Sequence, residues 1–301
     1  MTRPVNDSPP PIAPRPPTVA RVVGAYLLLP HAVPIIVVLL ATAGFALLAA
    51  DGPPPAATLA RLLLAMLGGQ VLIGAVNELV DADLDAATKP WKPIAAGLVS
   101  RQGARRMAFA GALLMLGCGI GFGAIALALL VLGTGLGLLY DLWLKRTAIS
   151  WVPYLLALPL LPIWVWAALT GFDPRLLLLY PLGAPAVVGV HLAQALPDTA
   201  SDRAAGVHHP ASLLGERRTI VAAWGATLLA PVLAMTALVL APGVAARPAV
   251  IAAAAAVVVG LVGLDVLLYL WRPRTGVMAC FPCVAGGTVA LGIGWVLGVA
   301  L

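Results

Sequence analysis

The chain has 301 residues, of which 61% are hydrophobic and only 10% charged, with a mean hydropathy of +1.02. Soluble domains carry roughly 25% charged residues, so this composition excludes a soluble fold and implies an all-α integral membrane protein. The net charge of +6 needs no nucleic acid to explain it, because Lys and Arg also mark the cytoplasmic side of membrane proteins and attract anionic lipid or an anionic substrate.

Residues 1–20, MTRPVNDSPPPIAPRPPTVA, are proline-rich and lack the apolar core and small-residue cleavage site of a signal peptide. They are expected to form a disordered cytoplasmic arm ahead of one polytopic domain over 21–301. Apolar runs of about 20 residues, the length that crosses a bilayer, predict spans near 22–49, 59–80, 107–124, 125–142, 149–170, 176–197, 219–240, 249–270 and 278–300. The expected fold is therefore a bundle of nine transmembrane helices. The third and fourth spans are separated only by glycines at 117, 119, 121 and 123. All of the eighteen basic residues except Arg61, Arg175 and Arg247 then fall on one side, which places the N-terminus in the cytoplasm and the C-terminus opposite it, in a bacterial plasma membrane. Cys118, Cys280 and Cys283 lie in apolar segments and are read as packing residues. GTGLG at 133–137 lacks the strand and polar loop of a phosphate-binding turn and is read as small-residue helix packing.

The second span ends in NELVDADLDAATKPWKPIAAG, residues 77–97. Asn77, Asp81 and Asp85 are spaced i, i+4, i+8. Four residues of helix turn about 400°, so the three side chains share one face about 6 Å apart along the axis. Acids that merely mark a membrane boundary are common, but like charges four residues apart destabilise a helix, and no basic residue lies between Arg61 and Lys89 to offset them. A divalent cation would resolve the repulsion. The sixth span reaches the same side with Asp198 and Asp202, again i, i+4, beside Arg203. Carboxylates and an amide oxygen, without clustered His or Cys, suit Mg²⁺, whose shell substrate phosphate oxygens and water usually complete. Lys89, Lys92, Lys145, Arg146 and Arg203 stand beside these acids. Each alone reads as a topology signal, but together with metal ions they supply what a diphosphate leaving group needs.

These segments resemble the UbiA-type intramembrane prenyltransferases: the stretch Asn77–Gly97 is similar to that family's first aspartate-rich motif, DTASDRAAG at 198–206 to its second, and YDLWLKRT at 140–147 to the Tyr-to-Lys segment between them. The resemblance implies a helical bundle around a central cavity, with an active site at the cytoplasmic side and a lateral opening to lipid. It implies Mg²⁺ held by Asn77, Asp81, Asp85, Asp198 and Asp202. A prenyl diphosphate would be contacted by Lys89, Lys92, Lys145, Arg203 and Tyr140, with Asp81, Asp85, Asp198, Asp202 and Lys145 as the catalytic set. His191 and Gln194 share a helix face with Asp198 and line the cavity or act as interhelical glue. Glu78 and Lys92 stand where relatives carry Asp and Arg. The implied activity is transfer of an isoprenyl group, through an allylic carbocation, to a small hydrophobic acceptor such as an aromatic or quinone precursor. A membrane terpene cyclase would need the same apparatus, with Trp143, Trp151, Trp164 and Trp166 as candidate walls, and a transporter or scaffold is a third reading. Prenyl length, acceptor, general base, oligomeric state and the part played by Asp265 are not set by the sequence.

Overall fold

The computed structural model describes residues 18–204, 206–240 and 247–299, the side chain of Val33 excepted. Most of the expected N-terminal arm lies outside the described residues, but Thr18–Ala20 begin the first helix, where the Thr18 side chain accepts from the backbone of Arg21. Among the described residues all regular structure is helical. The order is α1 (Val19–Leu28), α2 (Ala32–Ala49), α3 (Ala56–Thr88), α4 (Arg101–Gly119), α5 (Ala124–Leu139), α6 (Val152–Leu169), α7 (Leu179–Ala195), α8 (Thr199–Ala204), α9 (Pro210–Leu214), α10 (Glu216–Leu240), α11 (Pro248–Trp271) and α12 (Pro273–Val299).

Eight helical stretches among the described residues are long and apolar enough to cross a membrane, running from Ala56–Thr88 to Pro273–Val299. With large apolar side chains such as Leu40, Phe109, Leu267 and Met278 turned outward, where lipid rather than water can cover them, the protein is an integral, multi-pass membrane protein. The first expected span, 22–49, is two shorter helices, α1 and α2, broken at Leu29–His31. Pro30 withholds a backbone donor there, and His31 takes a left-handed conformation with φ 61°. Gly74 of α3 receives this elbow: a Cβ on it would come within 2.5 Å of the Pro30 carbonyl oxygen. The break between the third and fourth spans falls where the glycines predict it, at a short 3₁₀ turn, Ile120–Phe122, followed by Gly123 at φ 88°.

α3 runs eight residues past its expected end. At 33 residues and 1.5 Å per residue it is about 50 Å long, well beyond a hydrocarbon core of about 30 Å, so its acidic stretch continues as helix out of the apolar layer. It packs along α4, as α7 does along α10 and α11 along α12. The main core joins Leu62, Met66, Met115, Trp164, Ile251 and Trp295. Two smaller clusters underlie the two acidic helix ends: Leu29, Ala75, Val99 and Ala108 beneath α3, and Leu192, Leu196, Ile220 and Val284 beneath α7. Cys280 and Cys283 are buried, unpaired thiols, and GTGLG lies inside α5, with Gly137 against Ile73.

The α3–α4 contact depends on missing side chains. A Cβ on Gly68 would sit 2.4 Å from the Met115 amide nitrogen and 2.6 Å from the Gly111 carbonyl oxygen, both backbone atoms that move only if the helices separate. Gly68→Ala is expected to destabilise the protein by about 1–3 kcal/mol. Gly117→Ala, where nothing lies within 4 Å, should be neutral or slightly stabilising; thermal unfolding in detergent measures both.

Candidate active site

The acidic face of α3 meets a different partner at each turn. Asn77 Nδ2 donates to Asp141 Oδ1 at 2.6 Å. One turn on, Asp81 binds Lys145 Nζ at 2.7 Å and Arg146 Nη2 at 3.1 Å. One turn further, Asp85 binds Lys92 Nζ at 2.8 Å. The expected ladder exists, and its rungs reach other segments rather than open solvent.

Two local features build it. The chain from Tyr140 to Leu144 is a π-helical turn, closed by the Lys145 amide donating to the Tyr140 carbonyl at 2.8 Å. Such wide turns are rare and concentrate at functional sites. This one lets Asp141 and Lys145 engage Asn77 and Asp81, themselves one turn apart. The loop after α3 folds back on itself through Lys92 N to Lys89 O and Leu98 N to Pro93 O. That return brings the Lys92 ammonium onto Asp85 and also onto Glu78, again at 2.8 Å. Glu78 is 2% exposed and its Oε1 also lies 3.3 Å from His31 Nε2. Glu78 thus clamps Lys92 and the α1–α2 elbow. Burial pulls the Lys92 pKa down, but its hydrogen bonds to Asp85 and then Glu78 outweigh that and hold it above the ordinary lysine value. Asp83 points the other way and pairs with Arg101.

The second acidic segment begins where Pro197, in a 3₁₀ turn over Leu196–Asp198, ends α7 and starts α8. Asp198 accepts from Lys89 Nζ, with both carboxylate oxygens at 3.3 Å. This contact joins the two acidic helix ends. Asp202 Oδ2 lies 2.8 Å from His209 Nε2, and the His208 amide donates to the Arg146 carbonyl at 3.3 Å. Arg203 is exposed and donates to the Leu213 carbonyl at 3.4 Å.

Beside these ion pairs stands a group of rings. Tyr140 and Tyr154 meet edge to face at 5.1 Å, and Tyr154 lies 4.9 Å from His191. Tyr154 donates to Gln194 at 2.7 Å, and His191 Nε2 lies 2.9 Å from Ser150 Oγ. His191 Nδ1 and Asp141 Oδ2 are buried without a hydrogen-bond partner among the described residues. The tryptophans stand elsewhere: Trp164 and Trp166 in the main core, Trp143 exposed, and Trp151 in an open apolar groove with Val188 and Leu214. Asp265 is fully buried, held by Trp224 Nε1 at 2.7 Å.

One region thus gathers carboxylates, ammonium groups and aromatic rings drawn from α3 and the loop after it, the π turn, α6, α7 and α8. The profile of the UbiA prenyltransferase family matches residues 37–281. The chain belongs to that family. None of the curated proteins compared matches it in sequence. Solved structures show the same fold at low identity. A structure described in work on digeranylgeranylglyceryl phosphate synthase in membranes is 14% identical with a TM-score of 0.68, covering 92% of this chain and 98% of that one. A UbiA homologue from Aeropyrum pernix K1 is 21% identical with a TM-score of 0.68, covering 86% and 96%. A UbiA homologue from Archaeoglobus fulgidus, bound to GPP and Mg²⁺, is 16% identical with a TM-score of 0.61, covering 90% and 99%.

Within this UbiA-family bundle, Asn77, Asp81 and Asp85 each hold a partner of their own, Asp141, Lys145 with Arg146, and Lys92, while the Lys89 amide donates to the Asp85 carbonyl at 2.7 Å and its ammonium to Asp198. No three His, Cys, Asp or Glu side chains among the described residues lie close enough together to hold a metal by themselves. The sequence reading missed Asp141, His209, His31, Ser150 and Tyr154. Asp141 had a signal, since it stands four residues before Lys145 at the end of an apolar span; His209 reaches Asp202 only through an irregular loop, and His31, Ser150 and Tyr154 contact residues distant in sequence and leave no periodic trace.

Lys92 is the one ammonium between two nearly buried carboxylates. Lys92→Met is expected to cost about 3–5 kcal/mol, because it leaves the nearly buried Asp85 without its cation and Glu78 with His31 as partner. Asp83→Asn, removing an exposed pair, should cost no more than about 1 kcal/mol. Denaturation of the purified variants gives both values.

Proposed function

We propose that this protein transfers an isoprenyl group from a prenyl diphosphate to a small hydrophobic acceptor, an aromatic or quinone precursor, with Mg²⁺ as the metal. The observation that carries the reading is the Lys89–Asp198 contact, which brings the two acidic helix ends together. The relative bound to GPP and Mg²⁺ supports the same chemistry. The elbow of α1 and α2 supplies the remaining passage of a nine-helix bundle, the N-terminus faces the cytoplasm, and the bundle encloses a cavity at that side.

The donor set fits Mg²⁺. Asn77, Asp81 and Asp85 on one side and Asp198 and Asp202 on the other offer hard oxygens, the ligand type that Mg²⁺ takes alongside water and phosphate. When bound, Mg²⁺ would neutralise phosphate oxygens and so favour departure of diphosphate.

The rest falls to the chain's own side chains. Lys89, Lys92 and Lys145, each held by a carboxylate, supply the ammonium groups for phosphate oxygens, Lys89 from the exposed pair with Asp198 that opens most readily. Tyr140 and Arg203 add contacts from the π turn and α8. The allylic C–O bond breaks heterolytically, its electron pair leaving with diphosphate. The acceptor carbon then bonds to the cation and loses a proton. Oriented charges in a water-poor pocket supply most of the rate, as preorganised electrostatics do generally. His191 and Gln194 line the cavity next to Tyr140 and Tyr154.

The three rings of Tyr140, Tyr154 and His191 favour a second reading, cyclisation, in which the prenyl chain's own double bonds capture a cation steered by aromatic faces. Products separate the two. Purified protein with Mg²⁺ and prenyl diphosphates of several lengths, with and without phenolic and quinone precursors, should yield a prenylated acceptor by mass spectrometry. A terpene hydrocarbon or alcohol formed without acceptor would establish cyclisation instead. Asp81→Asn and Asp198→Asn should each lower turnover by about 10²–10³-fold with the fold retained, and full activity in the double variant would refute both enzymatic readings.

A further inference from the structure

His209 caps the N-terminus of α9: its Nδ1 accepts the backbone N–H of Ser212 at 3.2 Å. A ring nitrogen that accepts carries no proton, so the proton of the neutral ring is on Nε2. Nε2 lies 2.8 Å from Asp202 Oδ2 and therefore donates to it. The ring is 5% exposed, and its seat is braced by the Ser212 hydroxyl, which lies 2.6 Å from the Val207 carbonyl oxygen and 2.9 Å from that of His209. The Val207 amide donates to the Asp202 carbonyl at 2.9 Å, and the His208 amide donates to the carbonyl of Arg146, whose guanidinium holds Asp81. The loop thus runs from one acidic segment to the other. Asp202 Oδ1 has no hydrogen bond or ion pair among the described residues.

We infer that His209 is a positioning residue for Asp202: by donating to Oδ2 it fixes the carboxylate's rotation and presents Oδ1 to a divalent cation. The inference rests on the reading of Asp202 as a metal ligand. A carboxylate on a six-residue helix such as α8 otherwise swings about two torsions, and a ligand that must be ordered on binding loses affinity. Hydrogen-bonded partners of metal ligands are typically worth 10–100-fold in metal affinity.

Two substitutions separate this role from helix capping. Asn places an acceptor where Nδ1 stands, so His209→Asn keeps the cap and loses the donor to Asp202. Gln places an amide N–H where Nε2 stands, so His209→Gln keeps the donor and loses the cap. The probe is Mn²⁺ together with inorganic diphosphate, titrated into detergent-purified protein and followed by the paramagnetic resonance signal of the unbound ion against the same titration without protein, alongside thermal unfolding. His209→Asn should bind Mn²⁺ about 10–100-fold more weakly at an unchanged melting temperature, and His209→Gln should bind close to wild type at a lowered one. Wild-type affinity in His209→Asn, or loss of affinity in His209→Gln, overturns the inference while leaving metal binding itself intact. Absence of saturable Mn²⁺ binding to the wild-type protein overturns both it and the reading of Asp202 as a ligand. Should His209→Asn not fold, His209→Ser, which keeps an N-cap acceptor and is too short to reach Asp202, takes its place with the same expected loss of Mn²⁺ affinity.

Discussion

The constraint on which this structure depends is the placing of carboxylates at the end of an apolar bundle. A carboxylate there stays charged only if opposite charge and hydrogen bonds replace water. Lys92 meets that requirement for Glu78 and Asp85 together, at 2.8 Å from each. Lys145 and Arg146 meet it for Asp81. The pairs are unequal. The Lys92 clamp is mostly buried, where removing one partner costs several kcal/mol, whereas Lys89 and Asp198 are 36% and 48% exposed, where a pair is worth about 0–1 kcal/mol. The first acidic segment is therefore rigid by construction, and the contact between segments is inexpensive to open and remake. That asymmetry suits a site whose cations must pass from carboxylates to phosphate.

Much of this was legible in the sequence, for reasons that differ by feature. The long helices appear because each needs about 20 apolar residues to cross a bilayer. The faces of α3 appear because a 3.6-residue period puts Asn77, Asp81 and Asp85 in line. The elbow at Leu29–His31 does not appear, since the apolar run continues through it and only the docking of Pro30 on Gly74 shows why the chain turns. Nor does the true length of α3, whose charged last turns resemble a loop until their cross-chain partners are known.

The side chains that sequence reading missed act across helices. His31 reaches Glu78, Asp141 reaches Asn77 and His209 reaches Asp202. His31 and Asp141 are far in sequence from these partners, and the seven residues between Asp202 and His209 run through a loop rather than along one helix, so helical periodicity does not reveal the contacts. Glu78 illustrates the converse. It stands where relatives carry Asp, which left its role open in the sequence, and its longer side chain, 2% exposed, is spent on the elbow and on Lys92.

The π-helical turn at Tyr140–Leu144 ties these observations together. α3 and α5 are apolar helices that pack through small residues, Gly137 receiving Ile73, and dispersion alone would let one slide along the other. The Asn77–Asp141 and Asp81–Lys145 contacts, one turn apart on α3, set the register of that interface at its polar end. A wide turn costs backbone hydrogen-bond quality and persists where surrounding contacts over-determine it. Here a hydrogen bond and an ion pair to a single helix do so, and the same distortion presents Tyr140 to Tyr154 and His191. The ionic and aromatic parts of the site are thus two sides of one local deformation, so a change that restores regular helix at 140–144 would disturb both together.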